Sequence, residues 1–130
     1  MIKKNKQSST PRIKIIQKLY SNLLNPDEKI TFQKNQYKKF MKDVVTGTLE
    51  RKEFIEQSIL EHLKDDIDLN KTDKLLKIII FAAVFELMFK HNNPKNVIIS
   101  EYVKSSEFFL EDAQIKYLNA ILDKISKKVR

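Results

Sequence analysis

The apolar positions of this 130-residue chain recur at helical spacing almost from end to end. Ile13, Ile16, Tyr20, Leu23 and Leu24 fall on one face of a segment opened by Thr10-Pro11 and closed by Asn25-Pro26. Threonine suits the cap and proline the first helical position, so a helix is expected there. Lys14 and Lys18 take the opposite face. A short helix around 28–35 is expected next. The segment from Gln36 to about Thr48 carries Phe40, Val44 and Gly47 on one side. A helix over about 50–64 turns Phe54, Ile55, Ile59, Leu60 and Leu63 inward. A polar loop, 65–71, leads to Thr72 or Asp73 as the cap of the most apolar stretch. From Ile78 to Phe89 eleven of twelve residues are apolar, and the exception is Glu86. Leu75, Leu76, Ile79, Ala82, Ala83, Phe85 and Phe89 spread right round this helix, and a helix apolar on all sides is the buried centre of its fold. Asn93-Pro94 opens another helix with Ile98, Tyr102, Ser105 and Phe109 on one face. The last, from about Glu111, spaces Ile115, Leu118, Leu122, Ile125 and Val129 by threes and fours, a packing seam.

The apolar run is too short to span a bilayer, which takes roughly 18 residues, and it contains a carboxylate. With one glycine, Gly47, the chain has no means of building tight hairpins or a phosphate-cradling loop. At Gly47 another backbone approaches closely, or the helix bends. The three prolines sit at expected helix boundaries. An all-α, single-domain fold follows. There is no cysteine, which excludes disulfides and thiolate zinc sites and suits a cytoplasmic setting. The polar N-terminus lacks the pattern of a secretory signal.

Charge changes the picture at the ends. The net charge is +8. Residues 1–18 hold Lys3, Lys4, Lys6, Arg12, Lys14 and Lys18 with no acid, and residues 124–130 add Lys124, Lys127, Lys128 and Arg130. The stretch between is near neutral. Basic termini point to an anionic partner, with nucleic acid foremost, or serve only solubility. His62 and His91 stand far apart without a second histidine at ligand spacing. No HExxH, GxSxG or Walker pattern occurs, and the acid pairs Asp65-Asp66 and Glu111-Asp112 lie at loops or helix starts. An enzyme, a metal site and a cofactor are not expected. Glu86 is the informative acid. A buried carboxylate must be paired or hydrogen-bonded within the chain, or the face that carries it is a docking surface.

Several stretches resemble the bacterial transcription antitermination factor NusB family. RIKIIQKLYS resembles that family's first helix, with Arg12, Gln17, Leu19, Tyr20 and Ser21 matching, and FMKDVVTG resembles a middle segment. Phe85-Glu86-Leu87, Pro94, Val97, Ile99-Ser100-Glu101 and Tyr117 to Asp123 resemble the C-terminal half. The resemblance runs from about residue 11 to 126. It implies an all-α NusB-like bundle of about seven helices in two small packed subdomains, as one domain over 10–130 behind a disordered basic arm over 1–9.

The resemblance also implies a function without catalysis. NusB-like proteins pair with the small-subunit ribosomal protein that acts as NusE, bind boxA RNA of ribosomal RNA transcripts, and join the RNA polymerase antitermination complex. Some members dimerise, which leaves a homodimer open. Carried over, the basic N-terminal region touches RNA, and Tyr20 and Glu86 face the protein partner. Here the family's arginine run is replaced by Gln7, Ser8, Ser9 and Thr10, with lysines at 3, 4 and 6, and a lysine keeps phosphate attraction without the fork of arginine. Single-stranded RNA needs cations and stacking rings. The candidates are Lys3, Lys4, Lys6, Arg12, Lys14, Lys18, Lys116 and Tyr117. The rival reading is a helical protein-interaction module with incidental basic tails.

Overall fold

The computed structural model describes residues 10–130, and it is built from helices. The expected arm over 1–9, with Lys3, Lys4 and Lys6, lies outside the described residues. Six helices follow in order: α1 Pro11–Leu24, α2 Lys38–Glu50, α3 Lys52–Leu63, α4 Lys74–Phe89, α5 Lys95–Ser106 and α6 Asp112–Val129.

The helix ends show which local rules operate. Thr10 holds the N-cap of α1 with extended backbone, φ −67° and ψ 149°, and Pro11 begins the helix, but the threonine hydroxyl makes no capping hydrogen bond. Asp73 caps α4 by accepting from the Leu75 and Leu76 amides at 3.1 and 3.2 Å. In α6 the Glu111 side chain and that of Gln114 bond each other's backbone reciprocally, a capping box. The expected cap at Asn93 is not formed. Pro94 occupies the N-cap of α5, and the Asn93 side chain turns to Glu86 instead.

Helix α4 packs against all five other helices. Its residues from Ile79 to Leu87 are buried without a break, Glu86 included. The all-round apolar pattern thus marks the centre of the fold, because a helix surrounded on every side has no face to give to water. Helix α6 contributes Leu118, Ile121, Leu122 and Ile125 to the same core, and α1 contributes Ile15, Ile16 and Leu19. At Gly47 it is a side chain that approaches closely, not a backbone. A Cβ there would run into the ring of Phe85 on α4.

Three expectations are corrected. Residues 28–35 form no helix. In Ile30-Thr31-Phe32-Gln33 the partly buried and exposed positions alternate, and a period of two belongs to extended chain. The inward face of α1 ends at Leu19, so Tyr20, Leu23 and Leu24 are exposed. Phe54, Leu60 and Phe89, also expected inward, stand at the surface. Helical spacing gives the stripe but not how far along it the neighbours reach.

Candidate protein and RNA interfaces

Glu86 is fully buried and sits in a polar network that ties α4 to α1 and α5. Arg12 donates to it through both arms of its fork, Nε to Oε2 at 3.1 Å and Nη2 to Oε1 at 2.7 Å. The Tyr102 hydroxyl donates to Oε2, and Asn93 Nδ2 donates to Oε1 at 3.4 Å. The Arg12 guanidinium also lies 5.1 Å from the ring centre of Phe40 and 5.5 Å from that of Tyr102. Burial opposes the Arg12 charge, yet the hydrogen bond and charge of Glu86 outweigh that and hold its pKa above the usual arginine value. Burial first, and then the Glu86 charge, push the Tyr102 phenol well above its ordinary value. Of the two readings of Glu86, the intramolecular bond is the one formed. The partner within the chain is neither a lysine nor a helix amide but an arginine 74 positions away.

This network also places Arg12, an RNA candidate. Its side chain is only 12% exposed and points into the fold. Arg130, at the other basic end, is engaged as well. Its guanidinium donates to the carbonyl oxygens of Leu87 at 2.8 Å, Lys90 at 2.9 Å and Asn93 at 2.7 Å, satisfying groups at the C-terminal end of α4.

Tyr20, by contrast, is open to solvent. It borders a depression of about 530 Å³ shared with Leu75, Phe109 and Leu110. Exposed Leu23 and Leu24 extend the apolar strip along the last turn of α1. Leu23 also lines an apolar groove with Leu19, Ile78 and Phe81, whose rim carries Lys52, Lys74 and Lys77. Leu23 and Leu24 lie on the helical stripe whose spacing predicts an inward face, so spacing alone does not show the strip.

The remaining RNA candidates fall into two groups. Lys14 and Lys18 line a groove of about 390 Å³ whose other wall is Thr31 and Gln33. Lys18 Nζ lies 5.2 Å from the centre of the Phe32 ring. Lys116 and Tyr117 lie on α6, which is not packed against α1. The Tyr117 hydroxyl donates to the Asp66 carbonyl at 3.2 Å, while part of its ring stays exposed. Burial and the charge of Asp66 raise its pKa. Lys124 binds the same Asp66 carboxylate at 2.7 Å. Among the described residues no group of three or more His, Cys, Asp or Glu side chains converges as metal ligands would. No helix among them is long and apolar enough to cross a membrane.

A model of the NusB family matches residues 2–127. The transcription antitermination protein NusB of Mesorhizobium japonicum is 39% identical over 87 residues, covering 67% of this chain and 56% of that protein. That of Rhizobium etli, strain CIAT 652, is 34% identical over 91 residues, covering 70% of this chain and 57% of its own. The matched part thus spans just over half the length of these relatives. A solved structure of T. maritima NusB superposes with a TM-score of 0.79 at 22% identity, over 91% of this chain and 89% of that one, which shows the shared fold.

Proposed function

The chain belongs to the NusB family, and from that premise we propose that it is a non-enzymatic, RNA-binding transcription antitermination factor of the cytoplasm. Its partners are a small-subunit ribosomal protein that acts as NusE and boxA-type single-stranded RNA of ribosomal RNA transcripts. With both it joins the antitermination complex on RNA polymerase, and residues 10–130 act as one domain. The family match over residues 2–127 carries this reading. The name of these relatives, transcription antitermination protein, supports the activity.

The geometry supplies surfaces that suit it. Tyr20, Leu23 and Leu24 form an exposed apolar strip of the kind a protein partner covers. Lys14 and Lys18, beside the groove, and Lys116 with the half-exposed Tyr117 ring offer charge and a stacking face for RNA. The arm lysines Lys3, Lys4 and Lys6 add phosphate contacts. Arg12 and Glu86 act at one remove. By clamping the first turn of α1 to α4, they position the face that carries Tyr20 and the point from which the arm departs.

Titration calorimetry with the NusE-like ribosomal protein tests the partner half of this reading. Tyr20→Asp places a charge in the apolar strip without touching the core. It is expected to weaken binding at least tenfold, corresponding to about 1.4 kcal/mol, with an unchanged melting temperature. Unaltered affinity would place the partner elsewhere.

A further inference from the structure

Two phenylalanine rings lie side by side on the surface where the sequence pattern had buried them. Phe54 of α3 is 53% exposed and Phe89, the last residue of α4, is 40% exposed. Their centres are 6.0 Å apart with the planes at 52°. Phe89 is held from beneath by Phe85 at 5.2 Å. Over Phe89, at 4.8 Å, lies the guanidinium of Arg51. Arg51 forms no ion pair among the described residues, so its fork is not committed to a carboxylate.

Phe89 is also one wall of a groove of about 690 Å³. Lys90 and His91 continue that wall, and Lys39, Phe40 and Asp43 form the other. Asp43 is the one acid lining it, and it is spent on the two lysines, accepting from Lys39 at 3.1 Å and Lys90 at 3.2 Å. The groove opens against Phe40, whose ring carries Arg12 of the first turn of α1. It therefore runs from Phe40 to Phe89, one of the two exposed rings.

We infer that Phe54, Phe89 and Arg51 form a second contact for single-stranded RNA, reached along this groove and separate from Lys116 and Tyr117. The inference rests on the RNA-binding reading above. Each part has a physical role. The Phe54 ring, more than half exposed beside Phe89, offers a face on which a base of any sequence can stack. A guanidinium held over an aromatic ring has fewer conformations to lose, and its fork can meet a phosphate with two parallel hydrogen bonds. The lysines along the groove exceed its acid by one charge, which attracts the strand between. A second copy of this chain suits the patch less well, because each copy carries a net +8 and the cationic rims repel.

The test is anisotropy of a labelled boxA-type RNA and a scrambled RNA, titrated with the protein at several salt concentrations. Phe54→Ala is expected to weaken binding about five- to hundredfold, to a similar extent on both RNAs. Arg51→Gln is expected to lower the slope of log affinity against log salt by about one. Phe54→Leu keeps an apolar side chain but no π-face. It should lose the same affinity with the fold intact, and so separates stacking from folding. Wild-type affinities and slopes in all three variants would overturn the inference while leaving the functional reading standing. So would unchanged RNA binding with altered self-association in sedimentation, which would make the patch a protein interface. If the wild-type protein itself bound neither RNA, the functional reading would fail first and this inference with it.

Discussion

Arg12 and Glu86 bond each other inside the fold, which withdraws both side chains from an outside partner. A carboxylate with no exposure must be compensated. Here an arginine fork, a phenol and an amide together supply four hydrogen bonds. Removing one partner leaves an uncompensated buried charge, at a cost of about 3–5 kcal/mol. Glu86→Lys, which would set two cations together at this point, is therefore expected to lower the denaturation midpoint sharply. A Glu86→Lys protein as stable as wild type, defective only in partner binding, would mean that the carboxylate is accessible after all. Tyr102 adds a pH dependence. Its folded-state pKa is raised well above the ordinary phenol value, by burial and then by the Glu86 charge. Below about pH 10 both folded and unfolded chains hold the proton. Above it the unfolded chain releases the proton first, so stability falls as pH rises towards the folded value. Tyr102→Phe should lose about 1–3 kcal/mol at neutral pH, from a carboxylate deprived of one donor, and should flatten the alkaline decline. Denaturant titrations at pH 7 and at about pH 11 would read both effects. The sequence shows that Glu86 is exceptional, since a lone acid in an apolar run stands out. It does not show that Arg12 is its partner, because the 74 intervening positions leave no local signal.

At the scale of helices, the sequence was most legible where one face is buried for the whole length of the element. The seam of α6 and the all-round burial of α4 follow directly from their spacing. Legibility failed at the ends. The last turns of α1 and α4 carry Leu23, Leu24 and Phe89 on faces continuous with the core stripe, yet all three are exposed. Periodicity is the same whether a side chain meets a neighbouring helix, a binding partner or water. The stretch 28–35 failed for a different reason. A short helix is expected there, but the alternation of partly buried and exposed positions over 30–33 belongs to extended chain. At Gly47 α2 and α4 meet closely, with the Phe85 ring filling the place of a side chain. Gly47→Ala gains up to about 1 kcal/mol of helix propensity. It also forces Phe85 aside in a filled core, at about 1–3 kcal/mol. The expected net result is a lower melting temperature. A higher one would mean that the ring shifts freely, and that α2 and α4 are not matched as described.

For the whole molecule, charge separates two populations of cations. Arg12, Arg130 and Lys124 are bound within the fold, to Glu86, to the end of α4 and to Asp66 respectively. Lys14, Lys18 and Lys116 are not ion-paired among the described residues and border surfaces open to a ligand. The net charge of +8 already offsets Arg12 against Glu86 and Lys124 against Asp66, so it does not by itself say which cations can meet a phosphate. The candidate site was accordingly half legible. The basic ends and Tyr20 were visible as composition and motif, whereas the division of cations between structure and binding depends on tertiary contacts. The central claim is that this fold binds boxA-type RNA together with a ribosomal-protein partner. Fluorescence anisotropy of a labelled boxA-type RNA, with and without the NusE-like protein and against a scrambled RNA, tests it most directly. The expected result is tighter, sequence-dependent binding when the partner is present, falling by about a thousandfold between about 50 and 200 mM salt if about six phosphates are neutralised. Equal, weak binding to both RNAs, unmoved by the partner, would contradict the account and leave a helical protein-interaction module with incidental basic ends.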